Sequence, residues 1–133
     1  MNNELESLLV SGKEVDKKLV AEILSPYLRI DKETCEIRPL GSWDDLRAYR
    51  KILIYLVARK AMVALDLNLP EENASATEIM LSTGLKQGTV NPTLRRLLED
   101  GVVAQTKERK YYIPNYAIEK VRAIISEANK QSE

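Results

Sequence analysis

Residues 75–101 read SATEIMLSTGLKQGTVNPTLRRLLEDG, a stretch that carries the start and stop signals of two successive helices. It opens with Ser75 and, three positions later, Glu78, the spacing of a capping box in which each side chain satisfies a helix amide. Apolar residues follow at 79–81, and Gly84 suits the left-handed conformation that closes a helix. The pattern predicts a first helix of about two turns.

The second predicted helix runs from Gln87 to Asp100. Its apolar residues recur at helical spacing and share one face: Val90, Leu94, Leu97 and Leu98. Gly101 follows directly and is suited to cap the helix. Two helices joined by a short turn that contains glycine form the helix-turn-helix pattern.

A β-hairpin is predicted directly after the helix pair. Residues 102–105 and 110–113 form short strand-like runs, and residues 106–109 between them suit a hairpin loop. A hairpin in this position is a wing. The predicted fold class is therefore mainly α with a small β-hairpin wing, which is a winged helix-turn-helix domain.

Upstream of the helix pair the sequence predicts one long amphipathic helix. Pro39 and Gly41 break the chain, and Ser42 with Asp45 has the spacing of a capping box that starts the helix. We expect Trp43 to pack in the core or in a dimer contact rather than to line a ligand pocket. The basic residues of this helix are predicted to lie mostly away from its apolar face: Arg47, Arg50, Lys51, Arg59 and Lys60.

The chain is predicted to divide into an N-terminal extension, residues 1–41, and the winged domain, residues 42–133. Apolar residues at helical spacing predict two short helices in the extension, separated at residues 11–12. The second of these helices ends at Leu24, because Pro26 cannot continue it.

Two further elements complete the predicted structure. Residues 27–30 and 35–38 flank a polar tetrapeptide and predict a small hairpin, in which Cys35 is expected to be a strand residue. At the other end of the chain, a helix is predicted from Ala117 to Ala128.

The composition favours a folded protein that is neither secreted nor an enzyme. Of the 133 residues, 44% are hydrophobic and 30% charged, which suits one compact core. No histidine is present, so the commonest general base and metal ligand are missing, and we expect no metal and no cofactor. The single cysteine fits a reducing cytoplasm, and no run approaches the roughly 20 apolar residues of a membrane-spanning helix.

Charge is unevenly distributed along the chain, although its formal sum is zero. Residues 86–110 hold six basic and three acidic residues, whereas residues 1–50 hold eight basic and ten acidic ones. The local basic excess therefore falls on the second helix and the wing, where nucleic-acid recognition needs it.

Residues 88–102 resemble the recognition helix of PadR-like winged-helix regulators, and more distantly that of MarR-like regulators. The shared features are the Gly-Thr-Val step, the proline and the Leu-Arg-Arg-Leu run that ends in Glu-Asp-Gly. Residues 109–112, Arg-Lys-Tyr-Tyr, match the second wing strand, whereas Asn91 stands where PadR-like proteins usually have an aromatic residue. The resemblance covers roughly residues 74–113.

The resemblance implies a homodimer that places two recognition helices in successive major grooves about 34 Å apart. It makes the last helix and the N-terminal segment the candidates for dimerisation.

The predicted DNA contacts lie on the outward face of the second helix and on the wing. Arginine can fork onto a guanine edge or grip a phosphate, and glycine near the helix N-terminus permits close approach. The alternatives are a solvated helix face for the arginines and a solubilising turn for the wing cations. The predicted DNA-binding residues are Lys86, Gln87, Gly88, Thr89, Asn91, Arg95, Arg96, Lys107, Arg109 and Lys110.

Three functional hypotheses follow from the sequence. The favoured one is a dimeric transcription regulator that binds double-stranded DNA. The second is a winged helix that binds protein in an assembly, which the zero net charge and the acidic Glu99 and Glu108 favour. The third is an enzyme, which the sequence disfavours because a nucleophile, a base and a metal cluster are all missing.

Overall fold

The computed structural model describes Leu5, Leu8 and residues 15–131, with the backbone alone given for residues 128–131. Across these residues the chain is mainly helical, with two small antiparallel hairpins. None of the described helices is long and apolar enough to cross a membrane. The elements are α1 (Lys17–Leu24), β1 (Leu28–Ile30), β2 (Ile37–Pro39), α2 (Ala48–Ala64), α3 (Ala76–Thr83), α4 (Gln87–Glu99), β3 (Ala104–Gln105), β4 (Tyr111–Tyr112) and α5 (Ile118–Gln131).

The long helix α2 is buried on nearly all sides. Helices α1, α3, α4 and α5 all pack against it, and every residue from 52 to 62 is buried. The prediction that its basic residues lie mostly away from the buried face is wrong for Arg50, Arg59 and Lys60. A periodic apolar stripe in the sequence cannot reveal that neighbouring elements also cover the other faces of the helix. The long aliphatic stems of these side chains allow them to pack in the protein interior.

The start of α2 also differs from the prediction. A 3-10 turn spans Gly41–Asp45, and α2 begins only at Ala48. Ser42 does not cap a helix, because its hydroxyl donates a hydrogen bond to the carbonyl of Pro26. Trp43 is buried in the core, which confirms its predicted packing role.

Helix α1 confirms the predicted helix before Pro26. Its N-terminus is capped by Asp16, whose carboxylate accepts a hydrogen bond from the amide of Leu19 at 3.1 Å. It packs on α2 and α5, and its apolar residues join the core that holds the rest of the described chain. The earlier predicted helix and its break at residues 11–12 lie outside the described residues, Leu5 and Leu8 excepted. The division at residue 41 stays a prediction.

The predicted hairpin after α1 is present, with β1 and β2 paired in antiparallel register. Cys35 is not a strand residue, contrary to the prediction, because its φ of 59° places it in the left-handed turn before β2. The turn is stabilised by the Asp31 carboxylate, which accepts hydrogen bonds from the amides of Glu33 and Thr34 at 2.9 and 3.1 Å. This local bonding outweighs the cost of a left-handed cysteine.

Helices α3 and α4 confirm the predicted pair. The Ser75 hydroxyl accepts from the Glu78 amide at 3.1 Å, and the Glu78 carboxylate accepts from the Ser75 amide at 3.2 Å. Gly84 is left-handed with φ of 77° and opens the turn, residues 84–86, that leads into α4. The buried residues of α4 are Val90, Leu94 and Leu97.

The strands β3 and β4 have two residues each and are shorter than the predicted runs at 102–105 and 110–113. Val102 and Val103 instead complete the end of α4, because both of their amides donate to the carbonyl of Leu97, at 3.2 and 3.3 Å. The last helix α5 confirms the predicted C-terminal helix and extends it to Gln131.

Candidate nucleic-acid interface

The outward face of α4 is exposed along its length. All seven predicted contact residues on or before this helix are exposed: Lys86, Gln87, Gly88, Thr89, Asn91, Arg95 and Arg96. Gly88, Thr89, Arg95 and Arg96 lie on the side of the helix that faces away from its buried residues, whereas Gln87 and Asn91 lie nearer its flank and Lys86 is the N-cap. The structure therefore gathers these predicted contacts onto one solvent-facing surface.

Two residues on this face are poor helix formers that the fold itself does not require. A Cβ atom at Gly88 would meet no other atom within 4 Å, and Gly88 does not have a positive φ. Pro92 lies one turn further, inside the helix, and its missing N–H leaves the Gly88 carbonyl without its usual helical donor. Glycine in a helix costs roughly 0.5–1 kcal/mol relative to alanine. Packing within the protein does not account for this cost.

The cations on this surface have no partner within the described part of the chain. Lys86, Arg95 and Arg96 take part in none of the ion pairs found there. Arg96 borders an open groove between α4 and the start of α2, where Arg47 also lies. Three exposed positive side chains of α4 and its N-cap are thus available to an external anion.

The loop of the C-terminal hairpin, residues 106–110 between β3 and β4, adds two exposed cations. Lys107 and Arg109 are both exposed, and Arg109 has a left-handed φ of 61° at the tip. The loop is closed by Thr106, whose amide donates to the Lys110 carbonyl at 2.8 Å and whose hydroxyl accepts from the Lys110 amide at 3.1 Å.

Lys110 differs from the other predicted wing contacts. Its ammonium forms an ion pair with Glu71, in the loop between α2 and α3. This contact raises the pKa of Lys110 and lowers the pKa of Glu71. The pair ties the base of the hairpin to that loop, so Lys110 is already engaged within the protein.

A backbone bridge that the sequence did not predict attaches the hairpin to α3. Ala74 and Tyr111 exchange both backbone hydrogen bonds, at 2.9 and 2.7 Å. Ala74 immediately precedes the capping residue Ser75, so β4 is anchored at the start of α3. A single extended residue shows no alternation of polar and apolar side chains. Only the position of Ala74, between a loop and the capping residue Ser75, could have indicated the bridge.

Buried Arg59 holds the same loop against α2. Its guanidinium donates to the backbone carbonyls of Glu71, Glu72 and Asn73 at 3.2, 2.9 and 2.9 Å, and it pairs with Glu78 at 3.3 Å. The buried ammonium of neighbouring Lys60 pairs with Glu72 at 2.7 Å. These contacts fix α2, α3 and the hairpin relative to one another, although sequence periodicity predicted a surface role for both cations.

The acidic residues near this surface lie at its margin. Glu99 is the last residue of α4, about 16 Å along the helix axis from Gly88 at 1.5 Å per residue. Asp100 follows it, and Glu108 lies in the hairpin loop beside Lys107. The N-terminal half of α4 is therefore free of acidic side chains.

A second surface feature involves other elements. An apolar groove of about 290 Å³ is lined by α1, β1 and the end of α2, and no residue of α4 borders it. Sequence patterns gave no sign of this groove. Among the described residues, no group of three or more His, Cys, Asp or Glu side chains is arranged to hold a metal ion.

Comparison of the chain with known protein families, with curated proteins and with solved structures finds no match in any of the three.

Proposed function

We propose that the protein binds double-stranded DNA through α4 and the C-terminal hairpin and acts as a dimeric, sequence-specific transcription regulator. The observation that carries the proposal is the exposed outward face of α4 together with its N-cap. It combines the unpaired cations Lys86, Arg95 and Arg96 with a glycine and a proline that packing does not require. A helix surface that is basic and carries a glycine without a side chain suits insertion into a major groove.

The order of the elements supports a winged helix-turn-helix interpretation. The chain runs from α2 through the bridge residue Ala74 to α3, α4 and the paired strands β3 and β4. In this interpretation α3 and α4 are the helix-turn-helix, α4 is the recognition helix, and the C-terminal hairpin is the wing. Through its bridge to Tyr111, Ala74 pairs with β4 at the start of α3 and so adds a third segment to the two-stranded wing.

Each part of the surface has a chemical role in the proposed complex. Arg95 and Arg96 provide forked donors for guanine edges or phosphates, and Asn91 can pair with an adenine edge. Gly88 lets the backbone approach DNA closely, and the positive end of the α4 dipole faces the same region. Lys107 and Arg109 reach the flanking backbone or minor groove.

The proposal includes a homodimer whose two recognition helices read successive major grooves, as the PadR-like resemblance implies. It also includes a cytoplasmic location and no catalytic activity, both inferred from the DNA-binding role.

A second candidate is a protein-binding module without DNA affinity. The apolar groove beside α1 and the formal net charge of zero favour it. This alternative predicts little or no salt-dependent affinity for DNA.

The proposal is tested by selecting bound sequences from a pool of random double-stranded DNA at low and high salt. We expect wild type to enrich a palindrome at low salt, and the double variant Arg95→Ala, Arg96→Ala to lose it. The matched control is Arg38→Ala, Arg122→Ala, which removes two exposed arginines outside the surface and changes the net charge equally. No enrichment by wild type at low salt would favour the protein-binding candidate.

A further inference from the structure

The apolar groove beside α1 is open to solvent. Its lining comes mainly from aliphatic side chains, and Leu65 at its edge is 57% exposed. Pockets for small molecules usually enclose most of their ligand, whereas a helix or extended segment can occupy an open groove. The apolar lining residues include Val15, Val20, Leu24, Leu28, Ile30 and Ala61.

The N-terminal segment, residues 1–10, has the apolar side chains that such a groove accepts. Leu5 and Leu8 are 62% and 74% exposed, and the Leu8 amide donates to the Leu5 carbonyl at 3.1 Å. With Leu9 they follow the i, i+3, i+4 spacing of residues that anchor a helix in a groove. Leu5 and Leu8 remain exposed in the same chain whose groove remains open.

The charges of the segment and of the groove are complementary. Lys17 and Arg29 border the groove, and no acidic residue lines it. Arg29 is held at the rim, because its guanidinium donates to the carbonyls of Ser25 and Leu28 at 2.7 and 2.8 Å. The segment contains two acidic residues, Glu4 and Glu6, and no basic side chain.

We propose that the N-terminal segment of one copy docks into the apolar groove of a second copy, and that the exchange is reciprocal. A twofold dimer then has two identical interfaces, each with leucines in the groove and carboxylates near its basic rim. A second copy is favoured over the segment's own chain because Leu5, Leu8 and the groove are all uncovered in the single chain. The inference deepens the dimeric part of the proposed function and does not depend on DNA binding.

Cysteine crosslinking between different chains tests the exchange. One chain carries Leu8→Cys and the other Leu65→Cys, both with Cys35→Ser, and the mixture is oxidised with glutathione disulfide. We expect a disulfide-linked dimer that contains one of each chain. The control mixture pairs Leu8→Cys with Leu81→Cys, a more exposed leucine position on α3 outside the groove. Failure of the first mixture to crosslink more than the control would overturn the proposal.

A single chain that carries both Leu8→Cys and Leu65→Cys separates docking between chains from docking within one chain. Oxidation to a disulfide-linked monomer, with no dimer at any protein concentration, would overturn exchange in favour of the segment's own chain. The proposal predicts linked dimers whose yield rises with protein concentration.

Sedimentation velocity provides a second test that needs no DNA and no oxidation. Leu8→Asp and Leu65→Glu are each expected to raise the dimer dissociation constant about 10-fold or more, because each places a carboxylate against apolar side chains of the interface. Leu81→Glu is the matched control, and it should leave the dimer unchanged. If the dimer persists in both Leu8→Asp and Leu65→Glu, this inference alone is overturned. If the crosslinked dimer forms but binds no DNA, only the proposed function is overturned.

Discussion

Arg59 is a buried cation whose role is to organise a loop. Only 6% of its surface is exposed, and its donors satisfy three consecutive backbone carbonyls that lead into α3. Because the three residues that carry those carbonyls are half-buried, removing their donor leaves partly buried polar groups without a partner. The same loop holds Glu71 and Ala74, so this one side chain also supports the attachment of the C-terminal hairpin.

We predict that Arg59→Met lowers the free energy of unfolding by about 1–3 kcal/mol, the usual cost of leaving hydrogen-bonded groups of the fold without their partner. Urea denaturation monitored by circular dichroism measures the change. The control is Arg122→Met, which removes an arginine that is 52% exposed and should cost less than about 0.5 kcal/mol. Similar losses in the two variants would contradict the organising role of Arg59.

Asp31 makes stability depend on pH in the acid range. The Arg38 guanidinium, followed by the amides of Glu33 and Thr34, lowers the pKa of Asp31 from 3.8 to about 2. Because the folded pKa lies below the unfolded one, the stabilisation is complete above about pH 4 and is lost as the pH falls toward 2.

We therefore predict that wild type melts at a higher temperature than Asp31→Asn at neutral pH, and that the difference shrinks as the pH falls from about 4 toward 2. Thermal unfolding across this pH range measures it. Asp44→Asn is the control, since the Asp44 carboxylate forms no ion pair within the described residues. A difference between wild type and Asp31→Asn that stays constant down to pH 2 would exclude the ionised Asp31 carboxylate as its source.

At the scale of elements, α4 carries sequence features that reduce its own stability. Gly88 and Pro92 both disfavour a helix, yet both are exposed and the space around Gly88 is open. Residues that cost stability without a packing reason are expected at sites that bind something else.

We predict that Gly88→Ala raises the free energy of unfolding by about 0.5–1 kcal/mol and at the same time weakens DNA binding. The gain follows from lower chain entropy in the unfolded state, and the loss follows from a methyl group at the closest approach to DNA. Urea denaturation and a DNA titration measure the two effects. Gln87→Ala, at the neighbouring exposed position, is the control for a general change in the helix surface. A variant that is stabilised and binds DNA unchanged would show that Gly88 has no role in close approach.

Elements with strong local signals could be predicted from the sequence. The capping box of Ser75 and the left-handed Gly84 define α3 through contacts only a few residues apart, so the local sequence is sufficient to predict this helix. The start of α2 was wrong because the Ser42 hydroxyl has a distant partner, Pro26. Burial of Arg59 and the bridge at Ala74 also depend on pairings across the fold, which periodicity does not encode.

At the scale of the whole molecule, uneven placement of charge matters more than the net charge of zero. The outward face of α4 and the hairpin loop hold Lys86, Arg95, Arg96, Lys107 and Arg109, all exposed. By contrast, Arg59, Lys60 and Lys110 are engaged in ion pairs within the protein. The residues of this surface were predicted from the sequence. The structure was needed to show that Lys110 is paired with Glu71, whereas the other five cations form no ion pair within the described residues.

The most direct test of the central claim is the salt dependence of binding to a fluorescently labelled DNA duplex, measured by anisotropy between about 50 and 200 mM salt. For wild type we predict steep weakening with salt, and for Arg95→Ala, Arg96→Ala a logarithmic slope reduced by up to about two. The Arg38→Ala, Arg122→Ala control should retain most of the wild-type slope. No binding by wild type at the lowest salt, or equal loss in the two double variants, would contradict the assignment of α4 as the DNA-reading helix.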